Sequence, residues 1–141
     1  MVEAFDARAR GAAGAIALTD RVLEADSAGR QIDPFLRATA HLARGAWLEA
    51  IGRLDLADQS WLWYENSDVV GNHDAEAQPA DVDWALGAYA GARRAALADQ
   101  RGDHQRACAL ARRTLGFWTE SEPGMAAAVA SLRALAGKCP A

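Results

Sequence analysis

Apolar positions recur at steps of three and four residues along most of this chain, and no segment alternates with period two for long enough to make a strand. The stretch from Gly45 to Asn66, GAWLEAIGRLDLADQSWLWYEN, carries the pattern most densely. It reads as the end of one helix, a tight turn at Gly52, and a second helix with Leu54, Ala57, Trp61 and Tyr64 along one side. Ahead of it, a first helix is predicted over about 2–28, loosened at Gly11 and Gly14, with Ile16, Leu18, Val22 and Leu23 as its stripe. Gly29 suits the left-handed position that stops it. Asp33-Pro34, an acidic cap followed by proline at the first helical position, opens a second helix over about 34–51, with Phe35, Leu36, Leu42, Ala46 and Trp47 for burial.

The third helix spans about 54–65. From Asn66 to Gln78 the chain has turn formers and no period, which marks a long loop. Pro79 or Asp81 then opens a helix to about Gln100, marked by Val82, Leu86, Tyr89, Arg93 and Leu97. Gly102 stops it, Asp103 caps a helix over about 104–118, and Ser121 or Glu122 with Pro123 opens the last, over about 123–136. The prediction is an all-α chain of about six helices, a single domain over residues 1–141.

Composition narrows the function classes. At 141 residues the chain can bury a core without metals or disulfides, and 51% hydrophobic against 24% charged is a globular balance. A net charge of −4, with Arg residues interleaved among acids, lacks the basic stripe of a nucleic-acid binder. All but one of the 15 basic residues are Arg, the exception being Lys138, a bias expected of a GC-rich bacterial genome. Ala12–Leu18 is too short and too interrupted for a membrane span or a signal peptide, and two cysteines, Cys108 and Cys139, are too few for a disulfide scaffold. The expected location is the cytoplasm.

Two hairpins align in register. Gly45, Gly52, Ala57 and Trp61 fall at spacings of seven, five and four, and Ala95, Gly102, Ala107 and Ala111 repeat them fifty residues later. Small residues let antiparallel helices approach, and the central Gly permits the reversal. These positions resemble the tetratricopeptide repeat (TPR), with Gly45, Gly52, Ala57 and Trp61 matching in one unit and Ala95, Gly102-Asp103, Ala107 and Leu115 in the other. The resemblance covers about Phe35–Glu65 and Val82–Trp118. It departs from the family in its fifty-residue spacing, and in Leu48 and Ala98, which stand where a mid-helix Tyr belongs.

The resemblance implies a short array of stacked hairpins, like the C-terminal part of a longer repeat protein, with the final helix as cap. It also implies a groove lined by the first helix of each hairpin, here Thr39, Leu42, Ala46 and Glu49, then Tyr89, Ala92, Ala96 and Asp99. Such a groove, apolar with an acidic edge at Glu49 and Asp99, suits a basic or amphipathic partner helix or peptide. The implied function is a protein–protein interaction or scaffold module, not an enzyme, with no cofactor, metal, nucleic acid or membrane.

Other residues suggest other chemistry. His104 and Cys108 lie four apart, a metal-ligand spacing, but no further ligands accompany them. Asn72-His73-Asp74 are turn residues as well as potential donors, and Asp55 with Asp58, or Asp81 with Asp83, are explained by helix N-termini. The alternative function is small-molecule binding on the aromatic cluster Trp61, Trp63, Tyr64 and Trp84 beside the loop. Trp61 and Tyr64 share a core face, and Trp63 points elsewhere.

Overall fold

The structure, a computed structural model, describes residues 11–66, 82–118 and 126–139. Among the described residues it is all-α, with six helices and no strand. They group into two compact units, Met1–Val82 and Asp83–Ala141. The first holds α1 (Ala12–Ser27), α2 (Pro34–Ala50) and α3 (Leu54–Asn66). The second holds α4 (Ala88–Gln100), entered through a π-helical turn at Val82–Gly87, then α5 (His104–Phe117) and α6 (Ala126–Gly137).

Local chemistry sets the boundaries. Asp33 Oδ1 accepts from the Leu36 N–H at 3.0 Å with Pro34 at the first helical position, and Asp103 Oδ1 accepts from the Arg106 N–H at 3.1 Å. Each cap satisfies an amide that the helix itself leaves without a partner. Gly52 and Gly102 take φ of 76° and 77°, left-handed values that favour glycine. Both close the same hairpin turn. The Gly52 N–H donates to Glu49 O and the Arg53 N–H to Leu48 O; fifty residues on, Gly102 donates to Asp99 O and Asp103 to Ala98 O. This double bond pattern consumes carbonyls orphaned by the helix end.

Some expectations are corrected. The first helix is not continuous from residue 2, because Gly11 sits at φ 90°, ψ 155° and α1 begins after it; residues 2–10 lie outside the described residues. Asn66 belongs to α3, and 67–81 and 119–125, which include the rest of the expected loop and the proposed helix starts at Pro79, Asp81, Ser121, Glu122 and Pro123, lie outside as well. Phe35 and Ala46, expected to be buried, are exposed, and Phe35 retains 59% of its surface. The residues α2 buries are Ala38, Ala40, Ala43, Gly45 and Leu48. Because α2 packs against both α1 and α3, its buried arc falls on small residues that let two neighbours approach. On α4, likewise, Leu97 is buried, Tyr89 is 42% exposed, and Arg94 rather than Arg93 lies inside.

Each unit has its own core. In the first, Trp61 is fully buried over Gly45, where an added Cβ would overlap the indole Nε1, Cε2 and Cδ1. The indole N–H donates to Leu42 O at 3.3 Å, and the Tyr64 hydroxyl donates to Ala38 O. In the second, Ala95 and Ala111 occupy the corresponding positions, within a cluster of Ala88, Leu110, Trp118, Val129 and Leu132. The first unit joins glycine with tryptophan where the second joins alanine with alanine.

This complementarity predicts a reversal of sign. Gly45→Ala should lower the unfolding free energy by roughly 1–3 kcal/mol, the usual penalty for overpacking. Trp61→Ala alone should cost roughly 3–5 kcal/mol. In the Trp61→Ala background, Gly45→Ala should instead stabilise by roughly 0.5–1 kcal/mol, because alanine is the better helix former. Urea unfolding followed by far-ultraviolet circular dichroism measures all three values.

Candidate functional site

The side chains singled out from the sequence fall into distinct settings. Along α2, Thr39, Leu42 and Glu49 are half-buried and Ala46 is exposed; along α4, Tyr89 is exposed and Ala92, Ala96 and Asp99 are half-buried. Every one of these eight positions stays outside the fully buried set of its helix. Two of them are already engaged within the second unit. Ala92 packs on the core cluster that contains Val129 and Leu132 of α6. Asp99 holds His104 Nδ1 at 3.0 Å and Lys138 Nζ at 3.2 Å. A carboxylate can only accept, so His104 presents an N–H at Nδ1. These two hydrogen bonds, His104 first, hold the Asp99 carboxyl below its ordinary range.

The aromatic cluster separates. Trp61 and Tyr64 are core residues with their polar atoms spent on backbone carbonyls. Burial raises the Tyr64 phenol above its ordinary value. Trp63 is half-buried and stacks on His41, with ring centroids 4.5 Å apart and planes 14° from parallel. Tyr64 meets its ring edge-on, with centroids 5.1 Å apart. The Trp84 side chain lies outside the described residues, as do His73 with its neighbours Asn72 and Asp74.

His41 also belongs to a polar seam. Arg37, His41 and Arg44 follow at steps of four and three, one face of α2. Arg37 pairs with Asp26 at 2.6 Å, and Arg44 pairs with Asp20 at 2.6 Å while donating to Ser60 Oγ at 2.7 Å. Asp26 precedes the α1 terminus and Arg37 follows the α2 start, so the two pairs mark an antiparallel register. Between the two guanidiniums, His41 Nδ1 is buried without a hydrogen-bond partner, as is Arg37 Nε. Burial and the Arg44 charge, with a smaller push from Arg37 and an opposing pull from Asp26, lower the His41 pKa from 6.5 to about 4. At neutral pH the imidazole is uncharged.

The metal-like spacing of His104 and Cys108 has another outcome. Cys108 forms a disulfide with Cys139, their Cα atoms 5.7 Å apart, and His104 turns to Asp99. The bond joins α5 to the chain just past α6 across a sequence separation of 31. A closed loop of that length restricts the unfolded chain by roughly 3–4 kcal/mol in the chain-entropy account. Sequence reasoning missed this pairing, as it missed the Arg37–His41–Arg44 seam; the available signals were an even cysteine count and a 3–4 spacing of polar residues. Among the described residues no group of three His, Cys, Asp or Glu side chains is placed to hold a metal, and no helix is long and apolar enough to cross a membrane.

The His41 setting gives a pH dependence with a definite sign. A histidine whose folded pKa is depressed favours the native state above its unfolded pKa, and that contribution is lost as protons bind the unfolded chain first. Stability of the first unit should therefore fall as pH drops from about 6.5 to about 4. His41→Phe, which keeps a ring against Trp63 and removes the titration, should flatten this part of the profile. Urea unfolding read by tryptophan fluorescence across that range checks it, and parallel slopes in both proteins would assign the effect elsewhere.

No protein-family model, curated protein or solved structure matches this chain.

Proposed function

We propose that this chain is a protein–protein interaction or scaffold module, a TPR-like arrangement of helical hairpins that catalyses nothing itself. The partner is a helix or peptide laid against the first helix of a hairpin, α2 or α4. The observation that carries this reading is the exposure of apolar side chains on those helices: Ala46 on α2, and Tyr89 at 42% on α4. Exposed aromatic residues with small neighbours are common anchors in helix-in-groove recognition. The half-buried Leu42 and Ala96 extend the apolar character of the two surfaces. An amphipathic partner with basic residues suits a chain of net charge −4. Since Asp99 is committed to His104 and Lys138, recognition in the second unit falls to apolar contact more than to that acid.

The small-molecule alternative is weaker on its own residues. Trp61 and Tyr64 are sealed in the core, which leaves Trp63 as the indole of the cluster with described surface, and one of its faces is taken by His41. We place the module in the bacterial cytoplasm, where the few disulfides present are mostly transient or redox-sensing.

Site-specific photo-crosslinking tests the assignment. A benzophenone amino acid at Ala46 or Tyr89 should capture a discrete protein adduct in host cells, whereas the same probe at exposed Arg112 or Arg133 should not. Tyr89→Ser or Ala46→Arg should then weaken binding of the captured protein by about tenfold or more, with the circular dichroism spectrum unchanged. Equal capture at all four positions would remove the reading.

A further inference from the structure

We propose that the Cys108–Cys139 disulfide is a reducible latch on α6, opened when an external thiolate attacks Cys139 Sγ. Cys108 is 7% exposed within α5, whereas Cys139 is half-buried two residues past the end of α6. Of the two cysteines, Cys139 is the more exposed and so the preferred point of attack, and displacement there makes the more sheltered Cys108 the leaving group. The reductant is a small-molecule thiol or a protein dithiol. Its thiolate forms a bond to Cys139 Sγ as the Cys108–Cys139 bond breaks, and the electron pair leaves on Cys108 Sγ, which takes up a proton. A second thiol then attacks the external sulfur of the mixed disulfide. Cys139 is released as a thiol, and the two reductant sulfurs leave joined as a disulfide. The protein gains two electrons and two protons, and the reductant loses them.

The consequence follows from how the carboxyl end of α6 is held. Of its twelve residues, Val129 and Leu132 alone are fully buried, although each ordered residue has a conformational entropy cost. Its carboxyl end is fastened twice within two residues, by the Lys138 ammonium on Asp99 and by Cys139 on Cys108. The ion pair is exposed at the surface, with 56% of the Lys138 side chain open, and such pairs hold weakly. After reduction the Cys108 thiol, a weak donor, can only share its proton with the Leu135 carbonyl 3.6 Å away. Val129 and Leu132 sit in the core cluster and Ala128, Leu135 and Ala136 pack against it, while the covalent bond is the strongest tie on the carboxyl end of a helix that covers an apolar face formed by Ala95, Leu110 and Ala111. Opening the latch uncovers that face, whether or not the interaction reading above holds.

The test uses the full chain isolated under oxidising conditions. Peptide mapping after limiting glutathione should find the adduct on Cys139. Complete reduction by a phosphine should accelerate amide hydrogen exchange across 126–139 by tenfold or more and raise the fluorescence of a hydrophobic dye. Protection in α2, α3, α4 and α5 should persist. Cys139→Ser should show the fast exchange of α6 from the start and no response to the phosphine. An adduct on Cys108, unchanged exchange on reduction, free thiols in the isolated oxidised chain, or loss of protection throughout α4 and α5 would each overturn the proposal. The last result would make the disulfide a staple for the whole unit instead of a latch on one helix.

Discussion

The first unit depends on the absence of a side chain at Gly45. Trp61 fills that space with its indole, and the close passage of α2 and α3 brings the ring nitrogen to the Leu42 carbonyl. A buried indole N–H without such a partner would lose a substantial part of what its ring gains by burial. Once Trp61 is seated, Tyr64 lies one turn further along α3 with its hydroxyl on Ala38, and both rings sit against a helix surface of alanine and glycine. The alanine-rich composition thus has a mechanical meaning. It keeps α2 slender enough to be flanked on two sides, and the bulk of the core comes from its neighbours.

What could be read from the sequence was what is encoded locally. The caps at Asp33 and Asp103 and the stops at Gly29, Gly52 and Gly102 depend on a few consecutive residues, and each has the expected role. Which arc a helix buries is decided by its neighbours, so Phe35 and Ala46, offered for burial, lie exposed, and the burial of Arg94 had no signal in the sequence. The even cysteine count allowed a disulfide, but the meeting of its two ends was set by the fold. Nothing in Cys139 or its surroundings announces a partner 31 residues away. Of the candidate surface, the positions on α2 and α4 could be located from the hairpin glycines, but the capture of Asp99 by His104 and Lys138 required the fold.

The seam between α1 and α2 shows how charge serves an apolar interface. Arg37 with Asp26 and Arg44 with Asp20 lie at the partly buried edge, and neither pair tolerates a slide of one helix along the other. Half-buried ion pairs add little net stability but penalise wrong registers, because a displaced guanidinium would lose its acid while keeping its desolvation cost. Between them His41 remains neutral and lends its ring to Trp63, so a polar residue serves as a flat apolar surface.

The contrast between the Gly45–Trp61 pair and the Ala95–Ala111 pair also bears on the order in which such positions can be exchanged. Starting from an alanine pair, a tryptophan acquired before the facing glycine meets a methyl group, whereas a glycine acquired first merely weakens a helix. The second order is the passable one. Returning from the glycine–tryptophan pair, the tryptophan must go before the glycine does. At such a pair, then, the small residue leads on the way to a large core and follows on the way back. The order of exchange at these paired positions has a direction built into it by steric volume alone.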